Sequence, residues 1–145
     1  MQVIHVALEQ DSTGYPPYEY EELFVDPVGP GLWKLRVSPA FLMGVARGDV
    51  LRADKDANGV DWATQVVSTG GNWCSRVIPL GGRITLGSVV EEFEKLGCEA
   101  RETGLGLVIV EPQPDAGVNQ ILDRLQSGRV EGIWDFDLGV DPRAM

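Results

Sequence analysis

The chain has 145 residues, with 22 Asp plus Glu against 12 Lys plus Arg and a formal net charge of −10. A field of that sign repels phosphate backbones and argues against nucleic acid as a partner. No apolar run approaches the roughly 18 residues of a membrane span, and the N-terminal Met1-Gln2-Val3-Ile4-His5-Val6 lacks the basic start of a secretory signal.

The only cysteines are Cys74 and Cys98, too few for a disulfide framework, so a reduced cytoplasmic protein is expected. With 43% apolar residues the chain is globular and long enough to bury a real core.

The first half reads as β. Val3 to Leu8 alternates as a strand, and Asp11-Ser12-Thr13-Gly14-Tyr15-Pro16-Pro17 is a loop, because Gly and two prolines cannot continue a ladder. Glu21 to Asp26 reads as a strand that Pro27-Val28-Gly29-Pro30-Gly31 then turns. Leu32, Lys34 and Arg36 alternate against Trp33, Leu35 and Val37, a period of two. Asp49 to Ala53 and Trp62 to Ser68 form a hairpin around Asp54-Lys55-Asp56-Ala57-Asn58-Gly59, where Asn58-Gly59 tolerates positive φ. Several short strands in this span predict a small β-barrel or bent sheet.

The second half mixes helix and strand. Arg76 to Leu80 is a strand. Leu86, Val89, Val90, Phe93 and Leu96 recur at helical spacing, with Thr85 or Ser88 as cap and Gly97 as stop. Cys98 to Glu102 and Leu105 to Glu111 are strands joined at Thr103-Gly104. Both faces of the 105–111 strand are apolar, which makes it central and covered on both sides. Asp115 is expected to cap a second helix carrying Val118, Ile121, Leu122 and Leu125, ending at Gly128, before a last strand from Ile133 to Leu138.

The order β-α-β-β-α-β is that of a ferredoxin-like unit. The expected class is α+β: a barrel-like half over 1–72 and a ferredoxin-like half over 73–145, packed together as one compact unit, with the boundary near Gly70-Gly71-Asn72.

Few residues read as chemistry. The Asp54 to Gly59 segment begins like a calcium loop, but its twelfth position is Gln65, where a bidentate carboxylate is required, and its flanks are strands. His5 is the only histidine and lies in a strand with no nearby nucleophile. Cys74, Cys98 and His5 make a weak zinc set, and Gly104-Leu105-Gly106 lacks both the third glycine and the helix of a dinucleotide fingerprint. Neither a metal nor an organic cofactor is expected.

Two stretches place aromatic rings beside carboxylates. Tyr15-Pro16-Pro17-Tyr18-Glu19-Tyr20-Glu21-Glu22-Leu23-Phe24 offers rigid contact area that loses little entropy on binding, and Glu19 and Glu21 would share a solvated face. In Trp134-Asp135-Phe136-Asp137-Leu138 the apolar residues should face the helices, leaving Asp135 and Asp137 as an acidic strip. Such a strip either protects an edge strand from further pairing or meets a basic partner. The charge is spread over both halves, with 10 acidic and 5 basic residues in 1–75 and 12 and 7 in 76–145.

The chain resembles a family of small bacterial proteins that is known only as a domain of unknown function. The resemblance rests on Tyr15-Pro16-Pro17 followed by Glu19, Glu21, Glu22 and Leu23, on Gly44-Val45-Ala46-Arg47-Gly48-Asp49-Val50, and on Leu96-Gly97-Cys98. It covers most of the chain, although Phe24 stands where that family is expected to carry Trp. It implies a compact bacterial, cytosolic protein and brings no catalytic residues with it.

The functional expectation is a binding protein and not an enzyme: an immunity or antitoxin-type inhibitor that occludes a basic surface of a toxin or effector. Steering by carboxylates and anchoring by aromatics would act through Tyr15, Tyr18, Glu19, Tyr20, Glu22, Asp135 and Asp137. Such a protein would be a monomer or weak homodimer. The alternatives are a small-ligand sensor or regulatory ferredoxin-like module, and an enzyme built on Cys74 or Cys98 with His5.

Overall fold

The computed structural model describes residues 2–145 and divides into two compact units, the first ending at Gly71 and the second running Asn72–Met145. In the first unit, β1 (Gln2–Ala7), β2 (Tyr20–Gly29), β3 (Leu32–Leu35), β4 (Val50–Lys55) and β5 (Asp61–Ser68) form a closed barrel. Neighbours are antiparallel except at the closure, where β1 meets β5 in parallel at His5 and Trp62. Closure removes the open edges that an isolated five-stranded sheet would expose. Alternate residues point inward, so Ile4, Val6, Leu23, Val25, Leu35, Leu51 and Ala53 fill the barrel together with Val45. Each fully buried Val, Leu or Ile contributes about 1.5–3 kcal/mol.

Strand β2 runs on to Gly29, beyond the turn expected at Pro27. The register against β3 shifts between Pro27 and Gly29, and such an irregularity is where a residue without an N–H fits. The reversal is made at Gly31, with φ +67. At the 56–59 hairpin only Gly59 takes positive φ, and no non-glycine residue among those described does. The Asp56 carboxylate does the remaining work, accepting from Asn58 N at 2.8 Å and Val60 N at 3.0 Å.

The segment Gly44 to Val50 is built around a buried carboxylate. Asp49 accepts from Ala46 N at 3.0 Å and from Gly70 N at 2.7 Å. Gly70 approaches Gly48 so closely that a Cβ on it would stand 2.7 Å from the Gly48 carbonyl carbon.

The second unit runs β6 (Cys74–Pro79), α1 (Leu86–Lys95), β7 (Cys98–Glu102), β8 (Val108–Pro112), α2 (Val118–Glu131) and β9 (Trp134–Val140). Its sheet has the order β7-β8-β6-β9, and all three pairings are antiparallel. The chain is therefore mixed α+β, with a closed barrel, a second sheet and two helices. Val77, Val108, Val110 and Trp134 pack with Val89 and Phe93 of α1 and Ile121 and Leu125 of α2. Phe136 and Leu138 pack against the same cluster. Leu107, Arg76, Ile109 and Glu111 are buried as well, so β8 is internal and has no solvated face.

Helix α1 starts where expected, with Thr85 Oγ1 accepting from Ser88 N, and its chain reversal uses Gly97 at φ +89. Helix α2 departs from expectation at both ends. Its N-cap is Gly117, not Asp115, and no side chain caps it. It passes through Gly128, reaches Glu131 and stops at Gly132, which is left-handed at φ +76.

Gly128 serves packing instead of termination. A Cβ there would lie 2.1 Å from Cε2 of Trp134, whose indole N–H donates to Leu125 O at 2.9 Å. The strand expected from Leu105 begins at Val108, because Thr103 Oγ1 donates to Leu107 O and accepts from Leu105 N, folding those residues into the loop.

Gly128→Ala is expected to destabilise the protein by about 1–3 kcal/mol, despite the roughly 1 kcal/mol that Ala gains over Gly in a helix. Urea unfolding followed by near-ultraviolet circular dichroism checks this. An unchanged or raised midpoint would mean that Trp134 can move aside.

Candidate functional site

The loop from 8 to 19 is tied down by Asp11. Its carboxylate accepts from Thr13 N at 2.8 Å, Thr13 Oγ1 at 2.6 Å and Tyr15 N at 3.1 Å, while Asp11 N donates to Tyr15 O at 2.7 Å. These donors hold the Asp11 carboxyl below its ordinary pKa, the Thr13 hydroxyl having the largest effect. Leu8 N donates to Glu19 O, closing the base of the loop. The Tyr15–Pro16 peptide is cis. The loop brings the Tyr15 and Tyr18 rings to 6.0 and 5.4 Å from the Phe41 ring.

Glu21 does not share a solvated face with Glu19. It lies on the inward side of β2, in line with Leu23 and Val25, and its carboxylate accepts from Ala40 N at 2.6 Å, Phe41 N at 3.1 Å and Leu42 N at 2.9 Å. Glu21 therefore positions Phe41 beneath the two tyrosines. The outward side of β2 carries Tyr20, Glu22 and Phe24 instead. Tyr15, Tyr18 and Tyr20 are 42%, 43% and 47% exposed, and Glu19 and Glu22 are exposed beside them.

His5 and Trp62 join this face through the strand register. His5 lies opposite Glu22 on β2 and opposite Trp62 on β5. Its ring stacks on Tyr20 at 4.9 Å and meets Trp62 edge-on at 5.3 Å, and Tyr20 and Trp62 are 5.9 Å apart. Glu22 Oε1 stands 4.0 Å from His5 Nε2, and Asp56 Oδ2 accepts from Trp62 Nε1 at 2.8 Å. The Val60 N–H, followed by the Trp62 indole, holds the Asp56 carboxyl below its ordinary value. From the sequence Trp62 reads only as a strand residue, and His5 as a strand residue that also enters the weak zinc set and the enzyme alternative with Cys74 or Cys98. The signal available was their placement at outward positions, since Ile4 and Val6 beside His5 are apolar and inward.

Asp135 and Asp137 lie apart from these residues in sequence and belong to the second unit. Asp137 pairs with the buried Arg76 through two bonds, Nε–Oδ1 at 2.5 Å and Nη2–Oδ2 at 3.1 Å. Asp135 Oδ1 accepts from Arg129 Nε at 3.0 Å and from Phe136 N at 2.8 Å, and Arg129 Nη2 also donates to Phe136 O. β9 is an edge strand, so both backbone groups of Phe136 are capped from within the unit.

Other chemistry is sparse. Cys74 and Cys98 are free and buried, and burial pushes the Cys98 thiol up to about 11. Among the described residues, no three His, Cys, Asp or Glu side chains are grouped to hold a metal ion. No described helix is long and apolar enough to cross a membrane. A shallow groove between the helices is lined by Glu92, Gln120, Asp123 and Arg124. Arg124 is engaged there by Glu92 and Glu131 and sits over the Trp134 ring.

The domain of unknown function DUF4265 matches residues 21–136, most of both units. The chain belongs to the DUF4265 family. The match begins at Glu21, so the Tyr15-Pro16-Pro17 stretch precedes it. The crystal structure of a hypothetical protein from Neisseria gonorrhoeae shares the fold, with a TM-score of 0.77 at 13% identity, over 97% of this chain and 96% of that one. No curated protein matches the sequence. For this DUF4265 chain the likeness therefore concerns the fold alone.

Two outcomes follow from the titrating groups. The Asp56 carboxyl is depressed in the folded chain, so its contribution is complete above the unfolded value and is lost as pH falls through the depressed one. Protection of the Asn58 and Val60 amides, taken relative to their intrinsic exchange rates, should be steady from pH 7 to about pH 4 and fall below that, and Asp56→Asn should lower it across the higher range. Protection that stays flat through acid in the unsubstituted chain would remove the role given to this carboxylate. Cys98 should be alkylated more slowly than a free thiol at pH 7.5 and reach full reactivity only on unfolding, as mass spectrometry of iodoacetamide adducts would record.

Proposed function

We propose that the protein is a binding protein and not an enzyme: an acidic inhibitor of the immunity or antitoxin type, acting in the cytoplasm, that occludes a basic surface of a toxin. The observation that carries this reading is the outward face around residues 15–22. Three exposed tyrosines stand there beside the exposed Glu19 and Glu22, on a loop and strand held by Asp11 and Glu21. Pre-ordered tyrosines lose little freedom when a partner covers them, and they supply the area of binding anchors. The carboxylates and the net charge of −10 would speed encounter with a cationic surface. We assign the contacts to Tyr15, Tyr18, Glu19, Tyr20 and Glu22. Asp135 and Asp137 already serve Arg129 and Arg76 and are omitted from this set.

A second reading is favoured by one feature. The element order β6-α1-β7-β8-α2-β9, with sheet order β7-β8-β6-β9, supports viewing the second unit as ferredoxin-like. Units of that kind serve as small-ligand sensors or regulatory modules, by analogy of fold. A sensor gains thermal stability from a metabolite, an inhibitor only from a protein.

Capture of partners by the tagged full chain, at low and high salt, followed by surface plasmon resonance on the purified partner, tests the first reading. A basic protein should bind stoichiometrically. Glu19→Lys with Glu22→Lys should slow its association about tenfold at low salt, and Tyr18→Ala should raise the dissociation rate by roughly tenfold. Association rates indifferent to both salt and charge reversal would refute electrostatic occlusion, and stabilisation by a metabolite alone would favour the sensor.

A further inference from the structure

The register of the barrel draws one row across four strands. Asp54 on β4 lies opposite Trp62 on β5, Trp62 opposite His5 on β1, and His5 opposite Glu22 on β2. Opposite residues share a face, and the sequence neighbours Ala53, Ile4 and Leu23 are buried in the barrel, so this row is on the outside. Tyr20 lies over His5 at the next outward position of β2, and Asp56 holds the Trp62 indole N–H. Three rings are thus bordered by three carboxylates, Glu22, Asp54 and Asp56. Among the described residues, no Lys or Arg forms an ion pair with any of the three, whereas nearby Lys55 pairs with Asp61.

A ring face presents negative potential, and a carboxylate beside it adds a full charge. The cation that satisfies both is planar, delocalised and weakly hydrated, stacking on an aromatic while offering paired N–H donors to the acid. We propose that the row Asp54–Trp62–His5–Glu22, with Tyr20, is a receptor for an arginine side chain projecting from a basic protein partner. The guanidinium lies against the Tyr20 and Trp62 rings and donates to Glu22 or Asp54. This rests on the reading above in taking the partner to be a basic protein, and it names the group that the barrel selects.

The test needs no partner. The full-length 15N-labelled chain is titrated with N-acetyl-arginine N-methylamide, with the lysine analogue, and with the neutral, nearly isosteric citrulline analogue, at constant ionic strength. The reporter is the Trp62 indole N–H, assigned with Trp62→Phe. Saturable movement with arginine is expected, about fivefold weaker binding with lysine, and no movement with citrulline. The double variant Glu22→Gln, Asp54→Asn should abolish the movement. Tyr20→Ala, at an exposed position, should weaken it about fivefold.

Equal movement with citrulline, no movement with arginine, or persistence in the double variant overturns the proposal. If arginine binds here and no basic protein associates, the inhibitor reading fails while this site stands. If a basic protein binds while the indole ignores arginine, this proposal alone falls.

Discussion

Backbone N–H groups that leave a β-ladder must find acceptors elsewhere, because an unmet buried donor costs about 1–3 kcal/mol. A small barrel has a large share of such groups, since its strands are short and its connections are long. In the first unit carboxylates supply acceptors, Glu21 and Asp49 to part-buried or buried amides and Asp11 and Asp56 to exposed loop amides. Asp11 takes the amides of Thr13 and Tyr15, Glu21 those of Ala40, Phe41 and Leu42, Asp49 those of Ala46 and Gly70, and Asp56 those of Asn58 and Val60. Each charged acceptor binds more strongly than a neutral one. The acidic character of this unit is therefore in part a folding device.

That division of labour determines which charges face a partner. Glu19, Glu22 and Asp54 remain outward, beside Tyr18, Tyr20 and Trp62, while Asp11 fixes the loop that leads to Tyr18 and Asp56 holds the turn before Trp62 and its indole N–H. Glu21 shows the coupling most directly, because one carboxylate shapes the 40–42 segment and so places Phe41 against Tyr15 and Tyr18. A recognition surface built on rigid supports loses less entropy on binding than one that must first be ordered.

The second unit answers different constraints. Its helices and sheet meet around Trp134, which fits because Gly128 has no side chain and because Leu125 O receives the indole N–H. Its edge strand β9 is sealed at Phe136 by Arg129 and Asp135, and the buried Arg76 is neutralised by Asp137. A buried guanidinium without that partner would be strongly destabilising. The same acidic strip that looks from sequence like a surface for others is occupied by the unit's own cations. The motifs of the family resemblance are likewise architectural in part: Gly48 and Asp49 shape the connection into β4, and Gly97 turns the chain after α1.

Much of this was legible in the sequence, for a local reason. Period-two alternation, helical stripes and glycine stops depend on neighbours along the chain, so β1, β4, β5, α1 and β7 fall close to where the residues place them. Helix α2 runs past its expected C-terminus because Gly128 reads locally as a stop, and only the approach of Trp134 makes it a packing position. Glu21 was misplaced for a similar reason: its partners are about 20 residues away in sequence. Net charge, most of the strands and helices and the aromatic-acidic stretch at 15–24 are readable from the order of the residues. Tertiary structure alone decided that β1 closes on β5, bringing His5 and Trp62 to Tyr20 and Glu22, because that pairing joins strands with no sequence proximity. It also decided which carboxylates serve the backbone and which face outward, since the number of donors each can reach is set by the folded loops.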